Sequence, residues 1–157
     1  RYGESLELSQ QDTLVLLVNE RYKIPENLYI DHNVFQLASN NMIAPDIRIY
    51  SAEGSTPTLR VQFYTQEEKP VYDNMDFNWN YKNDTLRFDN YIKLAGQWRA
   101  QRVTLTLYLP ENKKVLLPSQ TSQYLRNLRD FDRGVRSRLN KDKILLIMQD
   151  GKLQPLM

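Results

Sequence analysis

The residues of this chain able to do chemistry are few, and their spacing excludes more than it supports. His32 is the only histidine and cysteine is absent. Thiol nucleophiles, thiolate metal sites and disulfides are therefore ruled out, and a histidine metal cluster has no second imidazole. A Ser-His-Asp triad would depend on His32, which lies in a segment with no nucleophile motif, so a surface or turn histidine is expected. Acidic pairs occur at Glu67-Glu68, Asp73 with Asp76, and Asp84 with Asp89. A glycosidase holds two carboxyls a few ångströms apart across a cleft. Sequence neighbours on turns seldom meet that demand, and solvated turn carboxylates are the expectation. Asp73-Asn74-Met75-Asp76 lacks the spacing and glycine of a calcium loop, and five glycines form no phosphate-binding run. The chain is expected to have no catalytic residues, no metal, no cofactor and no enzymatic activity.

Two groups of residues could bind rather than react. Phe77, Trp79 and Tyr81 alternate with Asn78, Asn80 and Lys82, so three aromatics share one face of an extended segment. Exposed, they form a platform for a glycan or peptide. Half-buried, they pack on the core, and that reading is favoured. The second group is basic. Arg126, Arg129, Arg133, Arg136 and Arg138 crowd the C-terminal quarter, where residues 119–157 hold eight basic and four acidic groups, a net of +4. The whole chain carries +2, which leaves −2 for residues 1–118. A basic face of this kind suits an acidic protein or anionic lipid headgroups, at about 1 kcal/mol per Lys or Arg near a charged surface. A solvated helix with local Arg–Asp pairs is the plainer reading. Nucleic acid is not expected, because no reading motif accompanies the arginines. Asn83-Asp84-Thr85 matches the N-glycosylation sequon, a pattern short enough to arise by chance.

The elements that must position these groups are almost all strands. Leu6 and Leu8 alternate with Glu7 and Ser9, and Thr13 to Val18 is a continuous apolar run read as a strand buried on both faces. Asn27 to Ile30 is a short strand candidate, while residues 32–45, with Asn40-Asn41 and Pro45, read as a loop. Asp46 to Tyr50 and Thr58 to Tyr64 alternate cleanly, with Leu59, Val61 and Phe63 inward. Residues 77–89 form the strongest hairpin, turning at Asn83-Asp84. Val103, Leu105, Leu107 and Leu109 line one face of a strand that Pro110 ends, and Val115 to Leu117 starts the next. Tyr124, Leu125, Leu128 and Phe131 recur at helical spacing behind Ser119, Thr121 or Ser122, predicting one short helix. Ile144 to Met148 is a last apolar strand before an Asp150-Gly151 turn.

At 157 residues the chain fits a single domain able to bury a core without metal or disulfide staples. About ten short strands and one C-terminal helix predict an all-β domain, either a short β-solenoid or a two-sheet sandwich. No apolar run reaches the roughly 20 residues that span a bilayer. The first residue is Arg1, so the chain is expected to be a piece of something longer or a processed mature chain.

Some of these residues carry a resemblance. Asp46-Ile47-Arg48-Ile49, the hairpin Tyr81 to Leu86, Trp98 to Val103 running into Leu107-Tyr108-Leu109-Pro110-Glu111, and Lys143 to Leu153 are similar to the extracytoplasmic C-terminal β region of bacterial phage-shock-protein-C-like membrane proteins. The pattern also resembles adhesin-like β-solenoid domains. The resemblance covers residues 46–153. It implies a tethered domain on the outer face of the membrane, without enzymatic activity, acting through protein or surface contacts in stress sensing or regulation. A secreted glycan-binding module is the alternative. Neither reading specifies an oligomeric state.

Overall fold

The computed structural model describes residues 2–8, 13–21, 36–37, 42–64, 75–94, 101–122, 124–126 and 143–156. Sheet A has the order β1 (Tyr2–Glu7), β6 (Thr58–Tyr64), β11 (Arg102–Pro110), β5 (Asp46–Ala52). Sheet B runs β14 (Lys152–Pro155), β13 (Ile144–Gln149), β12 (Lys114–Leu117), β2 (Thr13–Asn19), β9 (Thr85–Asp89), β8 (Trp79–Lys82). The small sheet C runs β3 (Gln36–Leu37), β4 (Met42–Ile43), β10 (Ile92–Leu94), β7 (Met75–Asp76). The fold is all-β, with three sheets where a sandwich needs two, and none of them closes into a barrel.

Short corners carry the chain from sheet to sheet. Ala44-Pro45 leads from C to A, Glu111 to Lys113 from A to B, and Asn90-Tyr91 from B to C. Strands distant in sequence then stack in parallel: β11 on β5, β12 on β2, and β2 on β9. Parallel pairing of this kind needs a long crossover, and here the other sheets supply it. This stepping is solenoid-like. The alternating apolar residues of all three sheets meet in one core, from Ile47, Leu105 and Val61 through Leu16, Phe88 and Leu146 to Ile43 and Ile92.

Several expectations change. Fourteen strands are present among the described residues instead of about ten, because β3, β4 and β7 hold only two residues each and show no periodicity. Two of these, β3 and β4, lie in the stretch read as a loop. In β2, Leu14 and Leu16 are buried while Val15 and Leu17 are half-covered, so one face is less enclosed than the apolar run suggested. Among the described residues the helix is a single turn, α1 (Ser119–Ser122), in which the Thr121 hydroxyl donates to the Leu16 carbonyl at 2.8 Å. Tyr124 and Leu125 are buried without a helix. Leu125 bridges Ile47 of β5 in parallel, with Ile47 N–H on the Tyr124 carbonyl and Arg126 N–H on the Ile47 carbonyl, both 2.9 Å. A free sheet edge captured this segment more strongly than its helical spacing held it. Residues 27–30, and Leu128 and Phe131 of the predicted helix, lie outside the described residues.

The two hairpin turns form as their sequences predict. Asn83 and Asp84 have φ of 52° and 57°, and Asp150 and Gly151 of 53° and 77°. Both are left-handed pairs whose twist suits a two-residue loop.

Candidate functional site

The aromatic trio sits on the inward side of the β8–β9 hairpin. Phe77 is buried, and Trp79 and Tyr81 are half-buried against the core. The Tyr81 hydroxyl donates to Asp84 Oδ1 at 3.2 Å, which ties the ring to its own turn. Trp79 also lines, with Asn80 and Arg87, a depression of about 190 Å³.

The acidic pairs are separated or occupied. Asp84 and Asp89 stand at opposite ends of β9, about 16 Å apart at strand rise. Asp89 is buried and accepts from three groups: Arg21 Nη1 at 3.0 Å, Asn78 N–H at 2.8 Å and Asn19 Nδ2 at 3.3 Å. Arg21 grips Asp76 with both guanidinium nitrogens, at 2.9 and 2.8 Å. This carboxylate locks β2, β7 and β9 together. Glu67, Glu68, Asp73 and His32 lie outside the described residues, and no group of three metal-capable side chains exists among those described.

Of the C-terminal arginines, Arg126 is among the described residues. Its side chain is 7% exposed, and Nε donates to the Asp46 carboxylate at 2.9 Å. It pins the Tyr124–Arg126 segment to β5. Arg129, Arg133, Arg136 and Arg138 lie outside the described residues.

The structure gathers a different basic surface. Register fixes which side chains share the outer face of sheet A. One row across the strands reads Arg48, Thr106, Arg60, Ser5; the next reads Asp46, Thr104, Gln62, Gly3; a third reads Tyr50, Tyr108, Thr58, Glu7; and Arg102 stands opposite Tyr64. Three arginines from three strands thus meet on one face. Their neighbours orient them. The Arg102 guanidinium lies over the Tyr64 ring at 4.8 Å from its centroid, Tyr50 and Tyr108 tilt together at 6.3 Å, and Arg48 reaches toward the Tyr50 hydroxyl at 3.5 Å. A cation over a ring face is attracted by the ring's quadrupole, by about 0.5–1 kcal/mol at an exposed site. Between Arg48 and Arg102 a depression of about 280 Å³ is lined by Gln62, Tyr64, Thr104 and Thr106. Asp46 is spoken for by Arg126, so Glu7 is the acid left to oppose the three arginines in these rows. Each arginine occupies an outward position of an alternating strand, a signal the sequence carries; that the strands are neighbours it does not carry.

A family model describing the toast-rack domain found in some PspC proteins matches residues 46–155. The chain belongs to the toast-rack family. That match spans β5 to β14, and it includes both Arg48 and Arg102, the arginines that frame the depression. No curated protein and no solved structure matches the chain. The PspC resemblance read from Asp46-Ile47-Arg48-Ile49 and from the Leu-Pro-Glu corner is therefore correct. As a toast-rack domain the chain is a β domain associated with membrane proteins.

Proposed function

We propose that this toast-rack domain is a non-catalytic interaction module, tethered on the extracytoplasmic side of the membrane by the rest of a PspC-like protein, and that it docks an acidic protein partner on the outer face of sheet A. The observation that carries this reading is the convergence of Arg48, Arg60 and Arg102 on one sheet face, interleaved with Tyr50, Tyr64 and Tyr108. Arginine and tyrosine are the side chains that dominate protein interfaces, since each offers broad contact at low ordering cost. An anionic membrane surface would be served by charge alone. The stacking of Arg102 on Tyr64 and the tilted Tyr50–Tyr108 pair add shape, which favours a protein. The buried carboxylate that could have served catalysis, Asp89, is consumed by Arg21, Asn19 and Asn78. Stress sensing fits this arrangement as the purpose of the contact.

The test places a photo-crosslinking amino acid at position 60 of the full-length protein in its membrane, with position 83 as the control. Adducts to protein at 60 and not at 83, lost on Arg48→Glu with Arg102→Glu, support the reading. Equal adducts at both positions, or adducts to lipid alone, would sink it. An Asn83→Cys variant reports location in the same cells, read against the unsubstituted full-length protein, because this domain has no cysteine of its own. Labelling by a membrane-impermeant maleimide is expected, and protection until lysis would contradict the extracytoplasmic placement.

The secreted glycan-binding reading keeps one observation, the depression that Trp79 lines with Asn80 and Arg87. Quenching of Trp79 fluorescence on a glycan panel supports it, and a flat titration removes it.

A further inference from the structure

The open edge of sheet A has properties that the docking face does not use. In β1 every residue from Gly3 to Glu7 is exposed, and Leu6, 39% exposed, is one of two large apolar side chains so placed among the described residues. The Leu8 N–H bonds the Pro57 carbonyl at 2.8 Å, which fixes the phase of the β1–β6 ladder. Glu4 and Leu6 exchange bonds with Val61 and Leu59. Gly3, Ser5 and Glu7, opposite Gln62, Arg60 and Thr58, therefore turn their N–H and C=O groups to the open side. No proline, lysine or bulge blunts this edge, the usual devices against strand addition.

We infer that β1 pairs antiparallel with β1 of a second copy of this chain, about a two-fold axis through Ser5. Register singles out that arrangement. Centred on Ser5, the hydrogen-bonded pairs are Gly3 with Glu7 of the second copy, Ser5 with Ser5, and Glu7 with Gly3, giving about six interchain bonds at two per pair. Between them, Glu4 faces Leu6 in both directions, so no carboxylate meets another. Sliding by two residues one way sets Glu4 against Glu4, a destabilising like-charge pair. Sliding the other way sets Leu6 against Leu6 and leaves Ser5 with Glu7, twice, as the hydrogen-bonded pairs between described residues, one pair fewer than the Ser5-centred register. Among the described residues the Ser5-centred register therefore keeps the most hydrogen-bonded pairs with no like charges opposed, and it is self-complementary as an isologous interface requires.

A two-fold axis perpendicular to the sheet keeps both outer faces on the same side. The two four-stranded sheets then become one, and the rows bearing Arg48 and Arg60 continue across Ser5 into their counterparts. The two Arg60 residues stand three strand spacings apart, about 14 Å. That exceeds the Debye length of about 8 Å at physiological salt, so their repulsion does not oppose pairing. Dimerisation therefore doubles the arginine face and would make engagement of a repeated or paired acidic partner bivalent.

Sedimentation of the 157-residue chain from micromolar to millimolar concentration is the test. A reversible monomer–dimer equilibrium is expected. Ser5→Pro removes an N–H that β6 does not use, so the fold is kept, judged by circular dichroism, while the dissociation constant rises at least about tenfold. Ser5→Cys, the sole thiol, is expected to form a disulfide dimer, since hydrogen-bonded antiparallel pairs hold Cα atoms about 5.5 Å apart, within disulfide reach. A wild-type chain that stays monomeric throughout overturns the inference, as does a dimer that survives Ser5→Pro. Should Ser5→Pro unfold, the thiol variant decides: crosslinking of Ser5→Cys no faster than of the exposed Asn83→Cys also overturns it.

Discussion

Two edge strands end two sheets of this domain, and they are held in opposite ways. On sheet B, β8 turns Trp79 and Tyr81 onto the core, closes on β9 through a left-handed Asn83-Asp84 turn, and is anchored at its far end by Asp89 and Arg21. On sheet A, β1 exposes its residues from Gly3 to Glu7 and, among the described residues, pairs with β6 alone. Both strands look similar as alternating sequence. The difference lies in what covers them, and it separates a structural edge from one available for pairing.

The sharpest contrast comes from deleting what covers the β8–β9 edge. Phe88 is fully buried on β9 and meets Tyr124 edge-to-face at 5.9 Å between centroids. Phe88→Ala is expected to cost about 4 kcal/mol in unfolding free energy, from lost burial and the cavity left behind. Chemical denaturation measures this, and a loss below about 2 kcal/mol would show that the hairpin is not cemented to the core. Asp89→Ala comes next, at about 3 kcal/mol, because it strands the Asn78 N–H and uncouples Arg21 from a buried carboxylate. Arg21 is about one-third exposed, which keeps the figure from rising further.

The same corner makes the domain sensitive to alkali. Tyr91 follows Asp89-Asn90, is fully buried, and its hydroxyl has no hydrogen-bond partner among the described residues. Burial pushes its pKa up to about 12, and burial, with Tyr91 and Glu20 nearby, pushes Tyr124 higher still. A folded-state pKa above the unfolded value of about 10 means that stability is intact below pH 10 and falls as pH rises, because the unfolded chain releases a proton that the folded one keeps. The expected slope is about 1.4 kcal/mol per pH unit per phenol. Tyr91 alone would therefore remove up to about 2.5 kcal/mol by pH 12. Tyr91→Phe should leave stability at pH 7 near its original value and cut the alkaline slope by about half. An unchanged slope would place the titrating groups elsewhere.

The strands were legible wherever side chains alternate over five or more residues. Val103 to Leu109, Leu59 to Phe63 and the 77–89 hairpin form as their patterns predict, because period-two burial is a local property. Three things were not local. Two-residue strands such as Met42-Ile43 have no period to read. Tyr124 and Leu125 repeat at helical spacing, yet the open edge of β5 offered backbone partners that a helix would have had to outbid. The arginine face was hidden for the same reason: Arg48, Arg60 and Arg102 are each visibly outward in their own strands, but a parallel β5–β11 ladder brings together residues more than fifty positions apart. The conspicuous cluster, by contrast, drew attention through sequence proximity, and its one described member, Arg126, is committed to Asp46.

The smallest effect tests the comparison most directly. Leu6 faces Leu59 across the β1–β6 ladder but remains 39% exposed, so Leu6→Ala in the isolated monomer should change stability by about 0.5 kcal/mol or less. Its ladder bonds are backbone and survive the substitution. Measured at low concentration, the denaturation midpoint is expected to stay where it was. At high concentration the paired state brings Leu6 against Glu4 of the second copy, covering the apolar stem, so a stability loss that grows with protein concentration would show that β1 is covered after all, and by another chain. A large loss that is independent of concentration would instead mean that the monomer itself buries Leu6, and the distinction drawn between the two edges would fail.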